Sequence, residues 1–156
     1  MGDQSQGFGS LVSDDAVPYG DANPLDDIAI KTALANYNKA LRIDPECLQA
    51  ILGKARLMAA IDETDQALGG YQQALNIDKN CYDAHMGIAQ VQLGLKHTPE
   101  AIKALKRAIK ADKTRPEPHD RLADIYDRIG LDDLADEQRE QAKSLRQPKK
   151  RRKTQK

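Results

Sequence analysis

The sequence has no tryptophan, one phenylalanine and five tyrosines, so aromatics make up only 4% of its 156 residues. β-Branched residues are few as well, while Ala, Leu, Asp, Lys and Gln are plentiful. Straight-chain side chains lose little rotamer freedom in a helix, so this composition favours α-structure and argues against a β-sandwich or barrel. No apolar run reaches the roughly 18 residues that a membrane span needs. The N-terminus shows neither the basic start nor the apolar stretch of a secretory signal. It opens Met-Gly, but Gln6 stands where a myristoylation pattern wants Ser or Thr. The two cysteines, Cys47 and Cys81, are then expected as reduced thiols in a cytoplasmic compartment. The sequence also has no glycine-rich phosphate loop, no HExxH, no nucleophile elbow and no CxxC pair, so a non-catalytic protein without a cofactor is expected.

Charge is balanced overall, with 24 Lys and Arg against 24 Asp and Glu, yet it is unevenly placed. Residues 1–30 hold six Asp and no Lys or Arg, and residues 147–156 hold six Lys or Arg and no acid. The chain therefore divides into an acidic head (1–24), a nearly neutral body (25–146) and a basic tail (147–156). The head mixes Gly, Pro, Ser, Gln and Asp. It has too little apolar surface to offset its ordering entropy, so it is expected to be irregular.

The body repeats itself every 34 residues. Ala33, Ala67, Ala101 and Ala135 form one column, Ala40, Ala74, Ala108 and Ala142 a second, and Ala55, Ala89 and Ala123 a third. Eleven of the 21 alanines fall in these columns. Bulky columns accompany them: Tyr37, Tyr71, Leu105, and Leu41, Leu75, Ile109. Asp44, Asp78 and Asp112 align near the unit's end. Such a period implies stacked units, and the breaks leave room for two helices of about 13 residues in each. Alanine lets antiparallel helices approach closely at no cost in propensity. Thr98-Pro99 is expected to cap a helix, Thr114 and Glu117 to form a capping box, and Gly130 to end a helix in the left-handed region. Gly69-Gly70 falls inside a helix and is expected to mark a close approach of the next repeat.

The period, the Ala–Tyr/Leu–Ala pattern and the closing Asp44-Pro45 resemble the tetratricopeptide repeat (TPR). The resemblance implies an all-α, right-handed solenoid of helical hairpins. It would hold an N-terminal half repeat at about 25–43 and three full repeats at 48–81, 82–115 and 116–146. The family's bulky fourth residue is here Ile51, His85 and His119. The last repeat's second helix, from Leu131 to Leu145, carries Arg139 in the bulky column and is expected to act as a polar end cap. The unpaired first helix leaves a monomer or a helix-exchanged dimer open.

The same resemblance implies a peptide groove along the inner stripe of the first helices. The expected contacts are Gln49, Leu52 and Arg56, then Met86, Gln90 and Leu93, then Asp120, Asp124 and Asp127. This groove would be apolar in the middle and acidic at its C-terminal end. It suits a protein or peptide partner with an apolar anchor and a basic flank. A solvated face that binds nothing is the plain alternative. The clamp for acidic chaperone tails is not expected, since Leu52, Arg56, Gly87 and Glu117 replace its Lys and Asn residues and only Arg121 matches.

The tail residues Lys149, Lys150, Arg151, Arg152 and Lys153 resemble a nuclear import signal, meaningful in a eukaryote. They also suit a polyanion contact without base recognition, because no aromatics are interleaved. A solubilising tail is the plain alternative. His85 and His119, 34 residues apart, sit one layer from each other, too far to share a metal. The function expected is a non-catalytic protein-binding adaptor. The alternatives are a polyanion or nucleic-acid-associated protein acting through the tail, or a small chaperone of a hydrophobic client.

Overall fold

The computed structural model describes residues 24–147. The head before Pro24 and the tail residues Lys149, Lys150, Arg151, Arg152 and Lys153 lie outside the described residues. Secondary structure within them is helical throughout: α1 (Pro24–Ile43), α2 (Leu48–Ala60), α3 (Thr64–Ile77), α4 (Tyr82–Gly94), α5 (Thr98–Ala111), α6 (Glu117–Arg128) and α7 (Asp132–Arg146). Helices α2/α3, α4/α5 and α6/α7 form hairpins, and α1, α3 and α5 each pack on the first helix of the following hairpin. This is an all-α solenoid of three helical hairpins preceded by one helix.

The alanine columns are the seams of the hairpins. Ala67, Ala74, Ala101, Ala108, Ala135 and Ala142 are all buried, as are Ala55, Ala89 and Ala123 on the facing helices. In α1 the matching Ala33 and Ala40 are only half-buried, because no described helix precedes it. Ile51, Leu52, Tyr71, Leu105 and Leu122 fill the space between seams. A Cβ on Gly70 would lie 2.8 Å from Ala55 Cβ. The close approach at Gly70 is thus within its own hairpin, not to the next repeat, and Gly69 faces open space.

A second glycine pattern joins successive layers. A Cβ on Gly53 would lie 2.4 Å from Tyr37 Cε1, and a Cβ on Gly87 would lie 2.2 Å from Tyr71 Cζ. Each tyrosine ring therefore rests on bare helix backbone of the next hairpin. In the following layer Leu105 replaces the tyrosine, and Arg121 replaces the glycine.

The turns repeat as strictly as the helices. Asp44 Oδ1 accepts from the backbone N–H of Glu46 at 3.0 Å, Asp78 Oδ1 from Asn80 at 2.9 Å, and Asp112 Oδ1 from Thr114 at 2.9 Å. These Asx turns close each repeat and explain the aspartate column. The Thr114 hydroxyl also donates to Asp112 Oδ1. Its bonds go backwards to the turn, so the expected capping box with Glu117 does not form, and α6 starts at Glu117 behind Pro116. His97, not Thr98, precedes the first residue of α5. Between the helices of each hairpin, Asp62, Lys96 and Gly130 take φ of 61°, 60° and 73°. The left-handed residue expected at Gly130 thus recurs at two non-glycine positions 34 and 68 residues earlier.

His85 and His119 are both buried. His85 Nε2–H donates to Lys79 O at 3.1 Å, and its Nδ1 is buried without a partner. In the next layer His119 Nδ1 meets Gln138 Oε1 at 2.8 Å. The counterpart of Gln138 beside His85 is Ala104, which has nothing to offer. Burial, more than the nearby Arg107 charge, holds His85 below the ordinary histidine pKa of 6.5, against the pull of the Lys79 carbonyl and Asp78. The unfolded chain therefore takes up a proton at this residue more readily than the folded one. The His85 contribution favours folding above about pH 6.5 and is lost as the pH falls below it. Urea midpoints at pH 7.5 and 5.5 should differ less in a His85→Ile variant, which copies Ile51, than in the parent chain. An equal difference in both would remove this assignment.

Candidate functional site

The candidate site is the face built by α2, α4 and α6. Residues three and four apart share one side of a helix, so the inner stripe brings Gln49 and Arg56, Asp83 and Gln90, and Asp124 to the surface of successive layers. All five are exposed. Arg56 Nη2 pairs with Asp83 Oδ1 at 3.2 Å, linking the first two layers. Between those layers lies a recess of about 280 Å³, lined by Arg56, Ala59, Ala60, Tyr71, Gly87 and Gln90. Glycine at 87 lets the Tyr71 ring reach this recess across bare backbone. Burial raises the Tyr71 pKa, partly opposed by Arg56 and aided by Asp83, so its hydroxyl stays protonated at neutral pH and available as a donor.

The remaining expected contacts fall elsewhere. Leu52 is 1% exposed. It joins the core shared by the first two hairpins, because the inner stripe of α2 is partly covered by α4. It cannot meet a partner. Met86 and Leu93 are half-buried against the core of the last two hairpins, so each offers only an edge. Arg146 binds Asp120 with both guanidinium nitrogens. Arg139 holds both Asp127 and Asp136. The Asp120 and Asp127 pairs tie α6 to α7 and close the C-terminal end of the stack. Arg139 and Arg146 are held above the usual arginine pKa, chiefly by their hydrogen bonds to Asp136 and Asp120. Of the three aspartates expected at the acidic end, only Asp124 has no ion-pair partner among the described residues.

The face is thus less apolar and less acidic than its sequence suggests. A cation, an amide and a phenol line one recess, the cation is paired with Asp83, and two half-buried apolar edges and Asp124 lie further along. Tyr71 and Gly87 were not among the expected contacts. The signal for them was present in the 34-residue recurrence of Gly53 and Gly87 beside Tyr37 and Tyr71.

Residues 63–125 match the sequence model of the tetratricopeptide repeat family. The match spans α3 to α6, and the hairpins are tetratricopeptide-like in fold. No curated protein sequence matches the chain. Among solved structures, a crystal structure of MamA is 22% identical, with a TM-score of 0.66 over 78% of this chain and 71% of that one. YrrB, described as a TPR protein with an unusual peptide-binding site, is 22% identical, with a TM-score of 0.64 over 70% of this chain and 57% of its own. The Cut9–Hcn1 hetero-tetramer of APC/C is 18% identical, with a TM-score of 0.69 over 76% of this chain and 23% of that one. At such identities the likeness is one of fold. Among the described residues no helix is long and apolar enough to cross a membrane.

Proposed function

We propose that this TPR-like chain is a non-catalytic adaptor that holds a segment of a partner protein on the face of α2, α4 and α6. The observation carrying this reading is the recess between the first two layers, where Arg56, Tyr71 and Gln90 converge on bare backbone at Gly87. Stacked repeats display such surfaces without needing chemistry of their own. The partner segment would carry a polar or acidic group for Arg56 and the Tyr71 hydroxyl, a small apolar side chain against Met86 and Leu93, and a basic flank toward Asp124. Ordinary affinity for a face of this kind is micromolar, about −8 kcal/mol. The free thiols of Cys47 and Cys81 fit a reducing compartment such as the cytoplasm.

The test is an affinity capture, read by mass spectrometry, with the full chain, an Arg56→Glu/Gln90→Ala variant and a chain ending at residue 147. A partner bound in the recess is expected to be kept by the tail-less chain and depleted about tenfold or more by the double substitution, since charge-assisted hydrogen bonds contribute about 1.5–3 kcal/mol. Partners lost with the tail and kept by the recess variant, with steep salt dependence, would replace this reading by polyanion binding through Lys149–Lys153. Capture of one apolar client, insensitive to Arg56 and to salt, would favour the chaperone.

A further inference from the structure

The stack carries a second cleft that the partner-binding reading does not use. It lies where the C-terminal ends of α3 and α5 meet the turn at 78–81, and its volume is about 470 Å³. Lys79 enters from the turn, and Arg107 and Lys110 from α5. Gln72, Asn76, Asn80 and His85 complete its polar wall. No carboxylate lines it. Among the described residues none of the three cations has an ion-pair partner. By contrast Arg56, Arg115, Arg139 and Arg146 each bind an aspartate.

The repeat supplies an internal control. One layer earlier the fold makes the same cleft, also of about 470 Å³, lined by Pro45, Glu46, Gln73, Asn76 and Ile77. There Pro45, Glu46, Gln73 and Asn76 stand in place of Lys79, Asn80, Arg107 and Lys110, while Ile51, the counterpart of His85, does not line it. The backbone thus forms the cleft without requiring positive charge, and only the second layer gathers three cations around it. Three like charges in one concavity repel each other unless an anion compensates them. A guanidinium fork matches the paired oxygens of a tetrahedral oxyanion, and lysines add point charges.

We propose that the Lys79–Arg107–Lys110 cleft is a binding site for a phosphate-type oxyanion, free or esterified. His85 forms its buried edge. The groups acting on that ring are the Lys79 carbonyl and Asp78 from the turn and Arg107 from α5, and Lys110 lines the same cleft. Neutralising the three cations with a bound dianion favours the imidazolium, so occupancy moves the His85 titration to higher pH.

The experiment is an NMR titration of the full chain with inorganic phosphate, pyrophosphate and phosphoserine, each matched in ionic strength by sodium chloride. Saturable shifts are expected at Lys79, Asn80, His85, Arg107 and Lys110, with Kd below about 1 mM for the best of the three probes. Arg107→Gln and Lys110→Gln are each expected to weaken it about tenfold, as loss of a charge-assisted contact does. Lys103→Gln, on the same helix outside the cleft, leaves Kd unchanged. The probe that saturates first identifies the source, inorganic or esterified. The proposal is overturned if sodium chloride reproduces the shifts, if Lys103→Gln weakens binding as much as Arg107→Gln, or if the His85 titration stays fixed at saturation.

Discussion

Gly87→Ala is expected to destabilise the chain by about 2 kcal/mol, although alanine is the better helix former. The new methyl would sit 2.2 Å from Tyr71 Cζ, and Tyr71 is 3% exposed, so its ring must leave its packed position. Overpacking of this kind costs up to about 3 kcal/mol, against a gain of about 1 kcal/mol from exchanging glycine for alanine in a helix. The third layer shows how the clash is relieved: leucine at 105 leaves room for a side chain at 121. Tyr71→Leu should therefore rescue Gly87→Ala, giving a coupling energy of 1 kcal/mol or more in a double-mutant cycle. Denaturant unfolding of the four proteins measures it. Additive effects would mean that Tyr71 and Gly87 do not compete for the same space. Because both residues line the recess, the single variant should also lose partner binding.

That pair marks the boundary of what the sequence discloses. The alanine columns read directly as seams, since only small residues survive where two helices touch, and α1, expected at 25–43, begins one residue earlier, at Pro24. The aspartate column is visible as a recurrence, but its role appears only in the turn, where each carboxylate accepts a backbone N–H two residues on. Left-handed backbone at Asp62 and Lys96 carries no compositional flag, because the hairpin's closure imposes it on whatever residue is there. The inner stripe misleads for a related reason. Helical spacing says which residues share a side of α2, but not that α4 covers Leu52. Likewise, three aspartates at steps of four and three look like an acidic surface until Arg139 and Arg146 approach from α7, 12 and 26 residues away. Contacts between layers and across hairpins lie outside any single helix's period.

Leu105→Ala should produce the largest loss, about 3 kcal/mol. Leu105 is fully buried and belongs with Ala89, Leu122 and Ala123 to the core that joins the second and third hairpins. Truncating such a leucine loses its transfer energy and leaves a cavity, at about 2–5 kcal/mol. The small residues beside it cannot swing in to fill the space, and the backbone is held by α4/α5 and α6/α7 contacts on either side. The loss also has a place. In a linear stack each unit is stabilised by its own fold and by its neighbours alone, so weakening one junction uncouples what lies beyond it. The hairpin α6/α7 closes the stack with charged pairs at its far side and has no later repeat to lean on among the described residues. Hydrogen exchange should therefore quicken first in α6 and α7, while α2, α3 and α4 keep their protection, and the denaturant transition should broaden. Uniform loss of protection in all hairpins would instead show one cooperative unit, in which case the recess and the C-terminal end could not be destabilised separately. With the expected pattern, the variant would keep the recess at Tyr71 and Gly87 while losing the order around Asp124. A partner whose affinity survives Leu105→Ala would be held by the first two layers, and one that is lost would need the C-terminal end as well.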